Sequence, residues 1–494
     1  MLSPRTSFRL LALILAIHLT LTAAYALLTP LWQAPDEPAH FNNIAAIVQT
    51  GHLPQLRPGD YDQAYLEQLK AQGFPPELPI APVRYEGHQP PLYYLLMVPV
   101  WLVASKGAGI AAQVWALRLV NALIGAMGVL VIFLSARRLF PKRAPVALLA
   151  AGFAAFLPMH IAMNASINND ALAELFVSAV MLRLLGHAAE EKSRSGAWAI
   201  TGALVGLSLL TKFQTYFLAP LALGVWGWQA SRGGRNARAW RSAAALILPM
   251  TLLPLPWWLR NMRLYGLADP LGLNRHAVVV VGQPRTADWI ATQGWGPFLD
   301  RFITFTFRSF WGVFGWMGVF MDARIYGLLT ILSILILTGL VYQLVRWRRQ
   351  ELLLSPAQKR GTWLLLAQLT AVIAAFLWYN LDFVQHQGRY LFPALLPISL
   401  AAAAGLLGAF SPRGSRWAAA VMLILLGAGL GLDMMQGDVN VWRTLMTAAA
   451  ASALFGRSLL TRPNAFWWCL AVEGGMALVA VYGLVGAILP QIGG

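Results

Sequence analysis

The sequence predicts an all-α protein, a polytopic bundle of about thirteen transmembrane helices with interfacial helices in a large first extracytoplasmic loop. Hydrophobic residues make up 58% of the 494 residues, charged residues make up only 12%, and the mean hydropathy is +0.59. Soluble domains carry about 25% charged residues. Apolar runs of about 20 residues, long enough to cross a bilayer, recur along the chain. These three observations exclude a soluble fold.

The formal net charge is +17, but its distribution argues against nucleic acid as a partner. Arg and Lys occur in short clusters between hydrophobic runs, which is the pattern that the positive-inside rule describes. These clusters indicate contact with anionic membrane lipids. The single cysteine, Cys469, excludes an intrachain disulfide and a metal site built from several cysteines.

The basic clusters predict the topology. Arg5 and Arg9 precede the first apolar run and place the N-terminus in the cytoplasm. An Ala-x-Ala sequence at 24–26 resembles a signal-peptide cleavage site, but the run is long for a signal peptide, so we expect an uncleaved helix. Helix three is expected over 144–161 and helix seven over 242–258. The predicted parts are a first transmembrane helix (1–29), an extracytoplasmic loop with interfacial helices (30–111), transmembrane helices two to seven (112–258), a second extracytoplasmic loop (259–323) and the C-terminal transmembrane helices (324–494).

Acidic residues are scarce and unevenly placed. The chain has 20 Asp and Glu residues. Under the predicted topology only Glu190, Glu191 and Glu351 fall in cytoplasmic loops, and nearly all the others fall outside or at outer helix ends. Acids barely influence the orientation of insertion, so this segregation is not a by-product of topology. The extracytoplasmic face is therefore expected to carry the chemistry.

Asp36 and Glu37 stand side by side just after the first apolar run. Apolar residues at helical spacing predict an amphipathic helix over 38–50, which Gly51 ends. The two acids have two readings: they cap this helix, or they are catalytic or metal-binding carboxylates with His40 one turn away. Two adjacent acids are more than a cap requires.

A second motif, YEGHQPPLYY at 85–94, closes the first predicted loop. Its proline pair forces an extended entry into the next helix. His88 and Gln89 have side chains that can hydrogen-bond a sugar or a carboxylate. A proline turn followed by an interfacial tyrosine pair is an equally open reading.

Further candidates lie at other predicted outer helix ends. Asp170 either caps helix four or shares a metal, or the base and positioning roles, with Asp36. Lys212 ends helix five on the side where the positive-inside rule does not expect a cation. Each cation could also snorkel to lipid headgroups, but several together favour an anionic ligand such as a lipid phosphate. The remaining candidates for binding this ligand are Arg260, Asn261, Arg389 and Tyr390.

The order of these motifs resembles the GT-C superfamily of integral-membrane glycosyltransferases, which includes protein O-mannosyltransferases and aminoarabinose transferases. The resemblance runs from the acidic pair at Asp36, through the Pro-Pro-Leu-Tyr-Tyr sequence, Asp170 and Lys212, to the Gln-Gly-Arg-Tyr element that ends at Tyr390. It implies that a hexosyl or pentosyl group passes, with inversion, from a polyprenyl-phosphate donor to a glycan, lipid or protein acceptor. It also implies a bacterial inner-membrane protein whose active site faces outside.

The resemblance further implies roles for individual residues. Asp36 would deprotonate or position the acceptor hydroxyl, and Glu37 and Asp170 would support it. Lys212 and Arg389 would hold the leaving phosphate and stabilise its departing charge. A divalent metal, Mg²⁺ or Mn²⁺, on Asp36 and Asp170 stays open. His40 is a further candidate for binding substrate, although the resemblance gives it no specific role.

The main alternative is a transporter or flippase for lipid-linked sugars. It requires polar or ionisable residues near the middle of the bilayer, whereas the predicted helix centres are nearly uncharged and Glu473 is the main exception. A third reading, a non-catalytic scaffold of the envelope machinery, explains neither the segregation of the acids nor the outward Lys and Arg residues.

Overall fold

Helices account for most of the structure. The computed structural model describes residues 2–107, 109–190, 194–233, 237–460 and 464–493, and Glu191, named above, lies outside these ranges. Within them the chain is predominantly α-helical, and the paired strands form one short antiparallel hairpin. The predicted all-α, polytopic membrane fold is confirmed.

The helices of the first half carry the acidic motifs on their connections. A short 3₁₀ helix, Tyr85–His88, precedes α4, and another, Phe213–Thr215, follows α9. In chain order the α-helices are Pro4–Leu28 (α1), Glu37–Thr50 (α2), Gln63–Ala71 (α3), Leu92–Ala104 (α4), Gly109–Leu139 (α5), Ala144–Ala155 (α6), Pro158–Asn164 (α7), Asp170–Ala189 (α8), Ser195–Leu209 (α9), Leu218–Gly233 (α10), Ala237–Leu252 (α11) and Leu255–Tyr265 (α12).

The second half begins with short helices and ends in long ones. The strand hairpin joins Val313–Phe314 (β1) to Val319–Phe320 (β2), and a 3₁₀ helix, Gly388–Ala394, leads into α18. A π-helical segment, Gly483–Ile488, lies between the last two helices. In chain order the helices are Leu273–Val279 (α13), Thr286–Gln293 (α14), Trp295–Trp311 (α15), Ala323–Arg348 (α16), Pro356–Asp382 (α17), Leu395–Ala409 (α18), Pro412–Gln436 (α19), Val441–Leu459 (α20), Ala465–Tyr482 (α21) and Leu489–Ile492 (α22).

Eight helices of the described chain are long and apolar enough to cross a membrane, or ten if each of two bent pairs is one span. The sequence estimate of about thirteen also counted α9, α10 and α20. Helix α9 has 15 residues and α10 has 16, so both are short for a span, while α20 is long enough but not apolar enough. The chain is therefore a multi-pass membrane protein.

Two helices expected to be continuous are broken. The helix expected over 144–161 divides into α6 and α7, which meet at 65°, and the helix expected over 242–258 divides into α11 and α12, which meet at 42°. The breaks lie just before Pro158 and at Pro254. Proline has no N–H for the helix ladder and its ring clashes with the preceding turn. Hydropathy alone therefore does not reveal that one apolar run forms two helices.

Helix α2 corresponds to the amphipathic helix predicted over 38–50, and Gly51 ends it at a left-handed φ of 69°. Its apolar face packs in a cluster that is distinct from the main core of the bundle. In this cluster Ile44 joins Tyr93 of α4 and Leu117 of α5. The segment after α1 is therefore packed against the bundle, which fixes the connection that carries Asp36.

Close packing of α16 against α18 depends on glycine. A Cβ on Gly339 would overlap the backbone oxygen of Gly405, and a Cβ on Gly408 would overlap the backbone oxygen of Gly339. Small residues at such crossings let two membrane helices approach backbone to backbone.

Replacing Gly339 with Ala is expected to lower the free energy of unfolding by about 1–3 kcal/mol, because the added methyl group forces the helices apart. Gly427→Ala is the matched control in α19, since a Cβ there meets nothing within 4 Å. Thermal unfolding in detergent measures both variants. Equal midpoints for the two would contradict the close packing described here.

Candidate active site

Charged residues from four distant segments meet around His40 of α2. Asp36 lies in the α1–α2 connection, Asp170 is the first residue of α8, Lys212 follows α9, and Arg389 opens the 3₁₀ helix before α18. The charges of all four reach the His40 ring. Burial, which is the largest effect, lowers the pKa of His40 to about 4. These four charged residues, all singled out in the sequence, therefore lie in one cluster.

Asp36 occupies the N-cap position of α2, but its side chain makes no capping hydrogen bond. Its Oδ1 accepts a hydrogen bond from the Tyr85 hydroxyl at 2.7 Å, and its Oδ2 accepts one from Arg389 Nη2 at 3.3 Å. The backbone of Asp36 is left-handed, with φ of 65°, a conformation that costs other residues than glycine about 1–2 kcal/mol. Its side chain is 35% exposed. These facts favour the functional reading over a simple cap.

Asp170 pairs with Lys212. Asp170 Oδ1 forms an ion pair with Lys212 Nζ, and both side chains are largely buried. At the start of α8, Asn168 Oδ1 accepts a hydrogen bond from the Asp170 backbone N–H at 2.9 Å. The Asp170 side chain is therefore free of a capping role and holds a cation instead.

Glu37 lies behind this cluster in a buried ion pair with Arg118 of α5. Both side chains have no exposed surface, and Arg118 donates through Nε at 2.8 Å and Nη2 at 2.7 Å to the two carboxylate oxygens. The backbone N–H groups of Trp32 and Ile167 donate to the same oxygens at 3.2 and 3.1 Å. The predicted catalytic support by Glu37 is therefore not direct contact with a substrate. The structure shows Glu37 holding Arg118 and the backbone of two neighbouring segments.

Arg118 also fastens the end of α1. Its guanidinium donates to the backbone oxygens of Ala26 at 2.9 Å, Thr29 at 2.7 Å and Pro30 at 3.0 Å. These carbonyl groups end a helix or follow it, and so have no partner within α1. One side chain thus joins α1, α2 and α5 directly beside the connection that carries Asp36.

The other predicted residues of the first loop are near the cluster but already engaged. His40 Nδ1 lies 2.9 Å from the Tyr94 hydroxyl. His88 packs against the His276 ring, with 4.3 Å between centroids, and burial holds the pKa of His88 well below its usual range. Gln89 Oε1 accepts a hydrogen bond from Asn169 Nδ2 at 3.3 Å. Their proposed contacts with substrate stay predictions.

Arg260 and Asn261 hold a different part of the structure. Arg260 Nη2 donates to the backbone oxygens of Leu53 and Pro54 at 2.9 and 2.6 Å, and Asn261 Nδ2 donates to that of Pro270 at 3.0 Å. The Arg260 bonds tie α12 to the segment after α2, and the Asn261 bond ties α12 to the segment that follows it, so both side chains already hold backbone groups. Tyr390, in contrast, lies beside the cluster, with its ring centroid 5.4 Å from the Arg389 guanidinium carbon.

A small cleft opens beside the Asp36 connection, and its 380 Å³ of empty space includes open solvent. Gln33 and Pro35 line it on one side, and Met159, Met163 and Phe314 line it on the other. Met163 also contacts the cluster, since Arg389 Nη1 lies 3.5 Å from its sulfur. The cleft is therefore a mostly apolar space next to the charged groups.

The arrangement does not suit a metal ion held by Asp36 and Asp170. Each carboxylate already faces a cation, Arg389 for Asp36 and Lys212 for Asp170. A divalent ion prefers several oxygen ligands that are not neutralised in this way. The described residues contain no group of three or more His, Cys, Asp and Glu side chains placed to hold a metal. We therefore derive no step through Mg²⁺ or Mn²⁺.

Sequence reasoning missed three residues of this region: Tyr85, Glu86 and Arg118. Tyr85 and Glu86 lie within the motif at 85–94, but only burial and packing reveal their place beside Asp36. Arg118 had a visible signal, because a lone arginine within an apolar span is costly and needs a partner.

Comparisons with known proteins agree with the fold and with the resemblance seen in the sequence. A model of the family described as dolichyl-phosphate-mannose-protein mannosyltransferase matches residues 89–258. Among curated proteins, no sequence is similar enough to count as a match.

Two solved membrane-protein structures have a fold similar to that of this chain. ArnT from Cupriavidus metallidurans, solved with undecaprenyl phosphate, is 17% identical over 96% of this chain and 76% of its own, with a TM-score of 0.52. Arabinosyltransferase EmbB from Mycobacterium smegmatis is 11% identical over 97% of this chain and 40% of its own, with a TM-score of 0.51. At such identities the likeness shows the fold alone. The predicted resemblance to the GT-C superfamily is confirmed.

Proposed function

We propose that the chain is an inverting membrane glycosyltransferase that moves a sugar from a polyprenyl-phosphate donor to an acceptor hydroxyl. The observation that carries this proposal is the meeting of two ion pairs, Asp36 with Arg389 and Asp170 with Lys212, beside a mostly apolar cleft. Lys212 and Arg389 suit a phosphate, and the acids suit a hydroxyl. The ArnT structure with undecaprenyl phosphate supports the class of donor.

The donor phosphate would bind where the two cations meet. Arg389 offers a planar fork of donors and Lys212 a compact charge, and together they match a phosphate that carries a lipid chain. The apolar walls of the cleft, including Met159 and Phe314, suit the first part of that chain. The acids that neutralise both cations in the free protein then become available to the acceptor.

The acceptor oxygen would attack the anomeric carbon from the face opposite the phosphate. The new carbon–oxygen bond forms as the bond from the anomeric carbon to the phosphate oxygen breaks, and the bonding electron pair leaves with the phosphate. Lys212 and Arg389 stabilise this departing charge. Asp36, fixed by Tyr85, positions the acceptor hydroxyl. Attack from the opposite face inverts the anomeric centre.

The proposal includes the place of the reaction. The segregated acids and the outer position expected for Lys212 support a site on the extracytoplasmic face of a bacterial inner membrane. The transferred group would be a hexose or pentose, and the acceptor a glycan, a lipid or a protein. Cysteine accessibility mapping on Arg57 and Arg349 tests the orientation, because the proposal expects labelling from opposite sides of the membrane.

The purified protein, incubated with a panel of polyprenyl-phosphate hexoses and pentoses, is expected to release polyprenyl phosphate from at least one donor and to glycosylate an acceptor from membrane extract. Lys212→Met is expected to lower kcat/KM about 10²–10³-fold, because it removes one charge from the leaving phosphate. Lys106→Met, which changes an exposed lysine after α4, is the matched control. Each donor is tested with added Mg²⁺ or Mn²⁺ and with a chelator.

The same assay separates the transferase from the transporter alternative. A transporter would move an intact lipid-linked sugar across a vesicle membrane and would leave the bond between sugar and phosphate unbroken. Recovery of intact donor on the opposite face, with no phosphate carrier released from any donor, would overturn the proposed function.

A further inference from the structure

Glu86 is an acidic residue of the cluster that the motifs did not single out. It lies in the 3₁₀ helix Tyr85–His88 and is only 8% exposed. Its backbone oxygen accepts hydrogen bonds from Asn43 Nδ2 at 2.8 Å and from the Gln89 backbone N–H at 3.0 Å. The position of Glu86 is therefore fixed from two sides, by α2 and by its own helix.

The Glu86 carboxyl differs from its acidic neighbours in its partners. Asp36 has the Tyr85 hydroxyl and Arg389, and Asp170 has Lys212. Among the described residues, Glu86 Oε2 is fully buried and has no hydrogen-bond partner. A buried carboxyl oxygen without a partner is costly, and such groups are concentrated where a protein binds or reacts with something.

The surroundings of Glu86 raise the pKa of its carboxyl group. Burial is the largest effect and the negative charge of Asp36 is the next, and together they raise the pKa of Glu86 to about 8, against the opposing charge of Lys212. The titratable and charged side chains whose fields couple to the Glu86 carboxyl are Asp36, Tyr85, Tyr94, Asp170, Lys212 and Tyr379.

We propose that Glu86 is a further catalytic residue of this site: its carboxylate takes the proton of the acceptor hydroxyl, while Asp36 orients that hydroxyl. This inference rests on the proposed glycosyl transfer. A general base needs a lone pair that is not already engaged. Asp36 and Asp170 each form an ion pair with a cation, whereas within the described chain Glu86 forms none and its Oε2 has no hydrogen-bond partner.

The acceptor oxygen forms its bond to the anomeric carbon, its O–H bond breaks, and the proton passes to Glu86 Oε2. The electron pair of the bond between sugar and phosphate leaves with the phosphate, which Lys212 and Arg389 hold. Glu86 then returns the proton to solvent when the products leave, so that no oxidant, reductant or further reactant is required.

His40 is the other conceivable proton acceptor in the cluster, but its properties do not suit the task. Its Nδ1 is engaged with the Tyr94 hydroxyl at 2.9 Å, and burial keeps its pKa near 4. A general base works best when its pKa is close to the working pH. Glu86 meets that condition and His40 does not.

The variant Glu86→Gln tests the proposal, because it keeps the shape of the side chain and removes its ability to take a proton. We expect kcat to fall about 10²–10³-fold with the KM for donor nearly unchanged. In the wild-type enzyme kcat/KM should rise with pH and level off above about 8, since the carboxylate is the reactive form. That rise should be absent from the Gln variant.

Glu77→Gln is the matched control, because Glu77 lies in the same loop and is exposed. Folding is checked by thermal unfolding at pH 8. At this pH the Gln variant should be at least as stable as the wild type. The raised pKa of Glu86 means that ionising its buried carboxyl lowers the free energy of unfolding of the wild type as the pH rises toward 8, and glutamine does not ionise. A stable variant with low kcat and a flat pH profile supports the proposal.

Two results overturn it, and they are distinguishable from each other. If the wild type transfers sugar and Glu86→Gln retains its rate and its pH profile, Glu86 is not the base and the proposed function stands. If the wild type acts on no donor in the panel, the proposed function fails and this inference fails with it.

Discussion

Replacing Asp36 with Asn is expected to lower kcat/KM for glycosyl transfer about 10²–10³-fold. Asparagine fits the left-handed backbone at this position as well as aspartate does. It keeps an acceptor oxygen for the Tyr85 hydroxyl but removes the charge that faces Arg389. The acceptor hydroxyl then loses its orienting partner, and Arg389 loses the group that holds it in place.

The measurement is a steady-state assay of transfer with the donor found in the panel, together with expression level and thermal midpoint. Asp300→Asn is the matched control, because Asp300 is an exposed residue of α15 that undergoes the same change of chemistry. An Asp36→Asn protein that expresses normally and transfers sugar at the wild-type rate would contradict the role given to Asp36.

Replacing Arg118 with Met is expected to lower the free energy of unfolding by about 3–5 kcal/mol, because it leaves the buried Glu37 carboxylate without its partner. The substitution also removes the donor for three backbone oxygens at the end of α1. Urea or thermal unfolding in detergent measures the loss. Activity should fall with it, since Asp36 follows directly from the segment that Arg118 holds.

Two further variants sharpen this expectation. The exposed ion pair between Lys70 and Glu67 is the control, and Lys70→Met should change the free energy of unfolding by less than about 1 kcal/mol. The double variant Glu37→Leu with Arg118→Leu should be less destabilised than the sum of its single changes, because no unpaired charge remains. Additive effects would show that the two side chains do not act as a pair.

The sequence predicted the fold because membrane crossing leaves a strong signal in hydropathy. Apolar length gave the long spans, such as α5 and α16, directly. It could not give the bends near Pro158 and Pro254, because a proline within an apolar run is compatible with a kink, a break or a continuous helix. Nor could it separate short apolar helices such as α9 from full spans.

For the candidate site, the useful signal was the small number of acidic residues and the unexpected position of some cations. Asp36, Asp170 and Lys212 were singled out because charges at such positions are few or on the unexpected side, and the structure brings them together. Arg260 was singled out by the same reasoning, yet it binds backbone oxygens elsewhere. Glu86 was passed over because an acid between a tyrosine and a glycine reads as a solvated loop residue, and its burial depends on contacts with Asn43, far away in sequence.

The pairing of Glu37 with Arg118 has a consequence for biosynthesis. The ribosome synthesises α1 and α2 before α5, so the newly made Glu37 lacks its native partner Arg118 until α5 has been synthesised. Asp170, Lys212 and Arg389 follow in that order, and Arg389 arrives only after α17. A nascent chain that stops before Arg389 would contain Asp36, Asp170 and Lys212 but would lack one of the two cations proposed to bind a lipid phosphate. Under the proposed function, transfer would therefore require synthesis to continue past Arg389.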